Sequence, residues 1–437
     1  MCPWLGTVIL RAIDCRINYV TRTHRMHFML VAVGSIGDVF PYFGIGEVLR
    51  GRGHRVFIVA SPYYEDQIRE LGLEFMALGT SEQHQDLLSH PDAWHPRKGW
   101  ILWLRMGGLD LMEELYDVVK QNYAEGETIV VGSWAAVGAR VAQEKLGVPM
   151  ATLHIEPDRF RSIYDTAFLP RHTLIRNSNP LWLKRFQFWY CDVIVDQALA
   201  PLSKFRRRLG LPAHRRFIRD WFHSPQLSLG LFPDWWAPPQ ADWPKQTVLT
   251  GYPLWDKSEN DQLPSDVADF VSGEKPIVFT PGALNQHAGK FFEESAAVCC
   301  EKKLKAVFIT MHPEQLPSSL PDSVRHWSYV PFRPLLRETA LAVHHGGTGT
   351  TWQCLAAGVP QIVMPLMHLH EDTAQRLKRL GTGETILPGK FNGRTLAAAI
   401  DRITSSVEIR SNCEAVQNRV RGSDPHQTIC DALEKLL

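Results

Sequence analysis

The stretch TALAVHHGGTGTTWQCLAAGVPQIVMP, Thr339 to Pro365, sets the architecture. An apolar run of strand length empties into His344-His345-Gly346-Gly347. Four hydroxyl and glycine residues follow, then helix formers up to Gly358, then a second apolar run. Strand, glycine turn, helix and return strand make one βαβ unit of a parallel sheet. A helix amino terminus presents unpaired N–H groups and a partial positive charge, and glycines let an anion approach that backbone closely. Thr348, Thr350 and Thr351 add hydroxyl donors, and His345 can donate from its imidazole. A diphosphate can be held there without a lysine. On these residues alone, a tight turn with a threonine cap is the plainer alternative.

The same grammar extends on both sides. From Lys275 run KPIVFTPG, FFEESAAVCCEKK, LKAVFITM, HWSYVPF and then the opening stretch, closed by HEDTAQRLKRLG. From His27 run HFMLVAV, FGIGEVLRGRG, HRVFIVAS, YYEDQIRELG and LEFMAL, and later ETIVVGS, AAVGARVAQEKLG and VPMATLHI. The expectation is an α/β protein of two Rossmann-like domains facing across a cleft, with ligands outside the carboxyl ends of the strands. Residues 26–251 form the first domain, the polar and proline-rich 252–274 a linker, and 275–437 the second domain. A terminal helix around SDPHQTICDALEKLL crosses back to the first. Residues 1–25 carry arginines behind a short apolar run, fail as a signal peptide, and read as a disordered extension or a misassigned start.

Composition narrows the function. The chain has 437 residues, enough for two cores, and its 47 Lys plus Arg nearly cancel 46 Asp plus Glu. No basic field for nucleic acid follows. Eight cysteines without a CxxC pair read as reduced thiols of a cytoplasmic protein, with one buried and one edge thiol at Cys299-Cys300. No window of about 18 apolar residues spans a membrane. Tryptophans crowd the first half, among them Trp94, Trp100, Trp103, Trp182, Trp189, Trp221, Trp235 and Trp236. They fit an apolar cleft for a lipid-like or aromatic alcohol, or plain packing of helices on the sheet. RFQFWYCDVIV with the basic KFRRRLG admits a peripheral membrane contact, against the plainer reading of a solvated helix face.

HHGGTGTTWQCLAAGVPQIVMP resembles the carboxyl-domain signature of nucleotide-sugar glycosyltransferases of the GT-B fold. VAVGSIGDVFPYFGIGEVLRGRGHRV resembles their first strand, loop and helix, in the branch with Gly-Asp in place of Gly-His. IVVGSWAAVGARVAQEKLGVP and FHSPQLSLGLFPDWWAPPQADWP are similar to segments of rhamnolipid-type rhamnosyltransferases. The resemblance runs from about His27 to about Leu387. It implies an inverting, metal-independent transfer of a rhamnose- or glucose-type sugar from a thymidine or uridine diphosphate donor to a hydroxyl of an apolar acceptor. That diphosphate sugar is a co-substrate, and no cofactor is implied.

The resemblance also distributes roles. Asp38, on the loop Gly34-Ser35-Ile36-Gly37, is the acceptor base, with a helix cap before Pro41 as its structural alternative. Thr280, Gly282, His345, Gly346, Gly347, Gly349 and Thr350 hold the donor diphosphate; Ala283 stands where the family keeps a serine. Tyr329 and Val330 hold the base, and Gln353 the ribose. Leu369-His370 replaces the family's Asp-Gln pair, so that sugar reading shifts to His370, Glu371 or Asp372. The cluster of His368, His370, Glu371 and Asp372 also admits zinc, but neighbouring loop residues seldom converge, and no metal site is expected. An epimerase on the same fold, or a nucleotide-binding protein without catalysis, are the rival readings.

Overall fold

A computed structural model describes residues 25–93, 95, 98–166, 177–256, 262–282 and 285–436. The extension read at 1–25 lies almost wholly outside the described residues, as do Trp94, Ala283 and part of the 252–274 linker.

The first sheet contains β1 (His27–Ala32), β2 (Arg55–Ala60), β3 (Glu74–Ala77), β4 (Thr128–Ser133), β5 (Met150–His154), β6 (Leu227–Gly230) and β7 (Thr247–Leu249). The second contains β8 (Ile277–Thr280), β9 (Ala306–Ile309), β10 (Val324–Trp327), β11 (Leu341–His344), β12 (Gln361–Val363) and β13 (Gly383–Thr385). All pairings are parallel, in the orders β3-β2-β1-β4-β5-β6-β7 and β10-β9-β8-β11-β12-β13. Two Rossmann-like sheets are thus present. The strands are apolar almost throughout because helices cover both faces and leave neither for water; Phe28, Met29, Leu30 and Val31 are all fully buried.

In each sheet the order in which parallel strands are added reverses between the first strand and the fourth, at β1 beside β4 and at β8 beside β11. Adjacent connections leave these strands toward opposite faces, which opens a crevice at their carboxyl ends. The loop with Asp38 follows β1, Gly282 follows β8, and His345 follows β11. Topology, not chain proximity, brings the three motifs to crevices.

Two local readings change. The first helix spans Ile36–Gly51, so Pro41 lies inside it and Asp38 occupies its first turn instead of preceding it. A strand expected at HWSYVPF instead closes at Trp327, and Tyr329 stands beyond it, 55% exposed. In helix Gly289–Lys302 Cys299 is buried and Cys300 exposed.

The halves share one core. Trp352, on the helix behind the glycine turn, packs edge-on against Trp235, tilted against Trp236, and parallel to Tyr252 with ring centroids 5.7 Å apart. Such aromatic pairs contribute about 0.5–1.5 kcal/mol each beyond the area they bury. Helix Pro425–Leu433 returns to the first half and buries Ile429, Cys430 and Leu433 in that same core. It seats on the Ile36 helix at Gly44, where a Cβ would stand 2.4 Å from His426 Nε2. Arg52 donates to Glu434 at 2.9 Å across this contact.

Candidate active site

Asp38 is held by the turn it belongs to. Its Oδ2 accepts from the Ser35 N–H and the Ser35 hydroxyl, both at 2.8 Å. Gly34 makes room for it: φ is +138°, and a Cβ there would lie 2.6 Å from that same oxygen. Cap and base candidate are therefore the same carboxylate, since one oxygen serves the turn. Burial raises the Asp38 pKa above the ordinary value, against the two Ser35 hydrogen bonds and the Arg159 charge. Such a carboxyl is a better proton acceptor than a solvated one.

Across the crevice, Gly347 caps the helix Thr348–Ala357 with no side-chain partner for its first N–H groups. Gly346 has φ +93° and donates its N–H to His344 Nδ1 at 3.0 Å, which closes the turn. His345 is buried, and desolvation pulls its pKa down to about 3, so the ring is neutral. Its Nδ1 has no partner, nor does the buried Thr351 hydroxyl. Gly282, at φ +102°, faces the same ring: a Cβ there would sit 3.0 Å from His345 Cε1. Gly282 N–H donates to Thr280 Oγ1 at 3.3 Å. Thr280, Gly282, His345, Gly346 and Gly347 therefore form one cluster, with Gly349 and Thr350 in the helix's first turn. Its open donors suit an anion.

The structure adds a third wall that the motifs did not reveal. After β5 the chain reads Glu156-Pro157-Asp158-Arg159, and these charges enter the crevice. The Thr348 hydroxyl donates to Glu156 Oε1 at 2.8 Å, joining the two halves. Burial and the neighbouring Asp158 charge push the Glu156 pKa up to about 8. Burial also opposes ionisation of Asp158, but Arg159 and His368 overcome it and hold its pKa at about 2. His368 Nε2 lies 3.3 Å from Asp158 Oδ2. The local signal was three charges directly after a buried strand, but only the tertiary structure tells which wall they join.

The sugar-reading residues are placed otherwise than the motif implied. His370 is buried behind the glycine turn, its Nδ1 accepting from the Met367 N–H at 3.1 Å and its ring edge-on to His345 at 4.8 Å. Asp372 is buried in an ion pair with Arg376 at 2.6 Å, and Arg376 in turn donates to the Trp236 carbonyl at 2.8 Å. Both serve the framework, because the helix His368–Leu380 turns its first two turns inward. Glu371 is half-buried in its first turn. His368, His370 and Asp372 point to three different partners and do not converge.

A cavity of about 350 Å³ lies beside the glycine-turn helix, walled by Trp255, Asp256, Arg333, Trp352 and Gln353 among others. Gln353 donates to the Trp255 carbonyl at 3.4 Å. Tyr329 reaches Asp256 through its hydroxyl at 3.4 Å, while Val330 is buried beneath it. On the Asp38 side, a smaller cavity of about 40 Å³ is lined by Gly34, Tyr64, His84, Leu87, Met106 and Leu111.

Two family models match this chain in separate blocks. The glycosyltransferase family 28 N-terminal domain covers residues 28–165, and the erythromycin biosynthesis protein CIII-like C-terminal domain covers 303–436. The two models meet the two sheets in order. The chain belongs to the GT-B glycosyltransferase superfamily. It is an enzyme that transfers sugar from a nucleotide-sugar donor. Among this superfamily's curated members, it is 27% identical over 388 residues to the O-mycaminosyltylonolide 6-deoxyallosyltransferase of Streptomyces fradiae, covering 86% of this chain and 89% of that one. It is 26% identical over 434 residues to the sterol 3-beta-glucosyltransferase of Pichia angusta, with 93% of this chain but only 33% of that protein covered. The chain thus spans about a third of the sterol enzyme. Among solved GT-B structures, the calicheamicin glycosyltransferase CalG4 superposes with a TM-score of 0.69 at 19% identity, over 95% of this chain and 99% of that one. The spinosyn rhamnosyltransferase SpnG, solved with thymidine diphosphate, superposes with a TM-score of 0.66 at 17% identity, over 92% and 99%. At those identities the likeness concerns the fold.

Proposed function

We propose that this glycosyltransferase inverts the sugar it transfers, moving it from a thymidine or uridine diphosphate to a hydroxyl of an apolar, lipid-like acceptor, with Asp38 as the base. The observation that carries the reading is the Thr348–Glu156 hydrogen bond, because it sets the Asp38 wall and the anion-holding helix face to face across one crevice. Asp38 takes the proton of the acceptor hydroxyl as that oxygen attacks the anomeric carbon. The bond from that carbon to the diphosphate breaks on the opposite face, and the new charge meets the N–H groups of Thr348, Gly349 and Thr350 and the Thr350 hydroxyl. Those donors are sufficient for the leaving group, so the reaction proceeds without a metal or cofactor. Glu156, neutral below its pKa of about 8, does not repel the phosphates.

The apolar acceptor is supported by relatives named for a mycaminosyltylonolide and a sterol acceptor and by the apolar side chains Leu87, Met106 and Leu111 beside Gly34. The donor nucleotide is supported by the thymidine diphosphate complex of SpnG and by Gln353 on the wall of the larger cavity. Since His370 and Asp372 serve the framework, Glu371 is the sugar-facing candidate that remains of the three.

Purified protein is incubated with thymidine and uridine diphosphate sugars, with and without a hydroxy-fatty acid ester or a sterol, and products are read by mass spectrometry. The expected result is a glycoside, with donor consumed only when the alcohol is present. Donor isomerised without an alcohol would establish the epimerase instead, and nucleotide binding without turnover would establish a non-catalytic module.

A further inference from the structure

Thirteen large apolar side chains are exposed among the described residues, and seven of them sit on one helix, Leu181–Ala198. Leu181, Trp182, Phe186, Trp189, Tyr190, Val193 and Ile194 are between 40% and 69% exposed. Their spacing follows the helical period, so most of them form a continuous stripe. The opposite face anchors the helix: Lys184, Phe188, Asp192 and Val195 are buried. Arg161 pairs with Asp192, and its guanidinium lies 4.8 Å from the Phe188 ring. Arg161 follows Glu156 by five residues, so the helix is anchored on the same segment that forms the crevice wall.

The exposed charge on this helix and the segment after it is mostly positive. Arg185 is the only exposed charged residue on the helix, since Lys184 and Asp192 are buried and the half-buried Asp196 accepts from the Arg216 and Phe217 N–H groups. Those two bonds bring the following segment back to the carboxyl end of the helix. From Leu181 to Asp220 the exposed cations are Arg185, Lys204, Arg207, Arg208, Arg215, Arg216 and Arg219, against the single exposed acid Asp220. Even with Arg208 paired to Glu113 and Arg219 to Asp220, the surplus is positive, in a chain whose net charge is only +1. Apolar and aromatic side chains with cations around them match an anionic lipid surface, where indole and phenol rings sit at headgroup level and each cation adds attraction. A second copy of the chain would fit poorly. A two-fold contact through the stripe would set the two cation sets against each other.

We propose that the exposed face of Leu181–Ala198 docks on an anionic lipid bilayer, with the Lys204–Arg219 cations against the headgroups. The docking stands on this helix and its surroundings. Its use in drawing an apolar acceptor from the bilayer to the Asp38 wall rests on the acceptor reading above.

The full chain is floated with vesicles of phosphatidylcholine alone and of phosphatidylcholine mixed with phosphatidylglycerol, with no donor or acceptor present. The wild type is expected to float with the phosphatidylglycerol vesicles, to be released by salt, and to stay behind with phosphatidylcholine. The triple variant Trp182→Ser, Phe186→Ser, Trp189→Ser is expected to keep its melting temperature and lose vesicle affinity by about tenfold or more. Arg215→Gln and Arg216→Gln are each expected to lower it about fivefold. No flotation of the wild type, or undiminished flotation of the triple variant, overturns the proposal. So does a wild-type dimer in light scattering that the triple variant converts to monomer, which would make a second copy the occupant. Transfer to a short, freely soluble alcohol is measured in parallel. Loss of flotation with that activity intact separates the docking from the acceptor reading.

Discussion

Asp38 meets two demands at one carboxylate: it closes the first turn of its helix through Ser35 and keeps a raised pKa beside the crevice. Asp38→Asn keeps the size and a hydrogen-bonding oxygen but removes the base. It is expected to lower kcat by about 10²- to 10⁴-fold while calorimetry finds the affinity for thymidine or uridine diphosphate unchanged. Transfer surviving in that variant would sink the assignment. Because the base must be ionised, kcat/KM in the wild type should climb with pH through the raised Asp38 pKa. Glu156 yields a stability test with a definite sign. Its pKa is about 8 in the folded chain against 4.5 as the ordinary value, so between those values the folded state holds a proton that the unfolded state has released. Its contribution to stability is therefore complete below about pH 4.5 and lost as pH rises through about 8. Thermal melts across that range should show the wild type losing stability relative to Glu156→Gln as pH rises. A constant difference would refute the shift.

At the scale of the element, the glycine turn after β11 is built from close approaches. Gly346 at φ +93° leaves room for neither a strain-free side chain nor a Cβ, which would stand 2.8 Å from Val363 Cγ1 and 3.1 Å from His370 Cβ. Gly346→Ala should cost about 1–3 kcal/mol of stability in denaturant melts. It should also weaken nucleoside diphosphate binding, because the first-turn N–H groups lose their aim. His370 supports the turn from behind with a ring kept neutral by burial. Its place in the family pattern is near the sugar, yet here it supports the glycine turn.

Across the whole molecule, the halves are joined by a set of polar contacts around a large shared core. Arg376 is the most committed of them, with Asp372 on its own helix and the Trp236 carbonyl on the other half. Arg376→Met leaves Asp372 buried without its counterion and should destabilise the protein by about 3–5 kcal/mol. The double variant Arg376→Met, Asp372→Leu should regain much of that loss, since an apolar pair of similar volume leaves no uncompensated charge. If both variants melt alike, the ion pair is not what makes Arg376 matter. Thr348–Glu156 and His368–Asp158 lie directly over the crevice.

Much of this was legible in the chain. Apolar runs alternating with amphipathic stretches declare two parallel sheets, because strands covered on both faces have no polar side to show. β6, β7 and β13 escape that reading because LSLG, TVL and GET mix serine, threonine, glycine or glutamate into the strand and show no continuous apolar run. The glycine turn and the Gly34–Asp38 loop were legible because backbone conformation and ligand approach restrict those positions to particular residue types. What no local pattern holds is direction. Glu156 and Asp158 look like loop charges until β5 is set beside β4, and His370 and Asp372 look like sugar ligands until their helix is seen to turn them inward. The sequence by itself determined the fold and the backbone geometry of the glycine turn, since both follow from periodicity and local backbone demands. Only the tertiary structure decided which charges face the crevice and which apolar helix stays uncovered, because burial is a property of what packs across the chain.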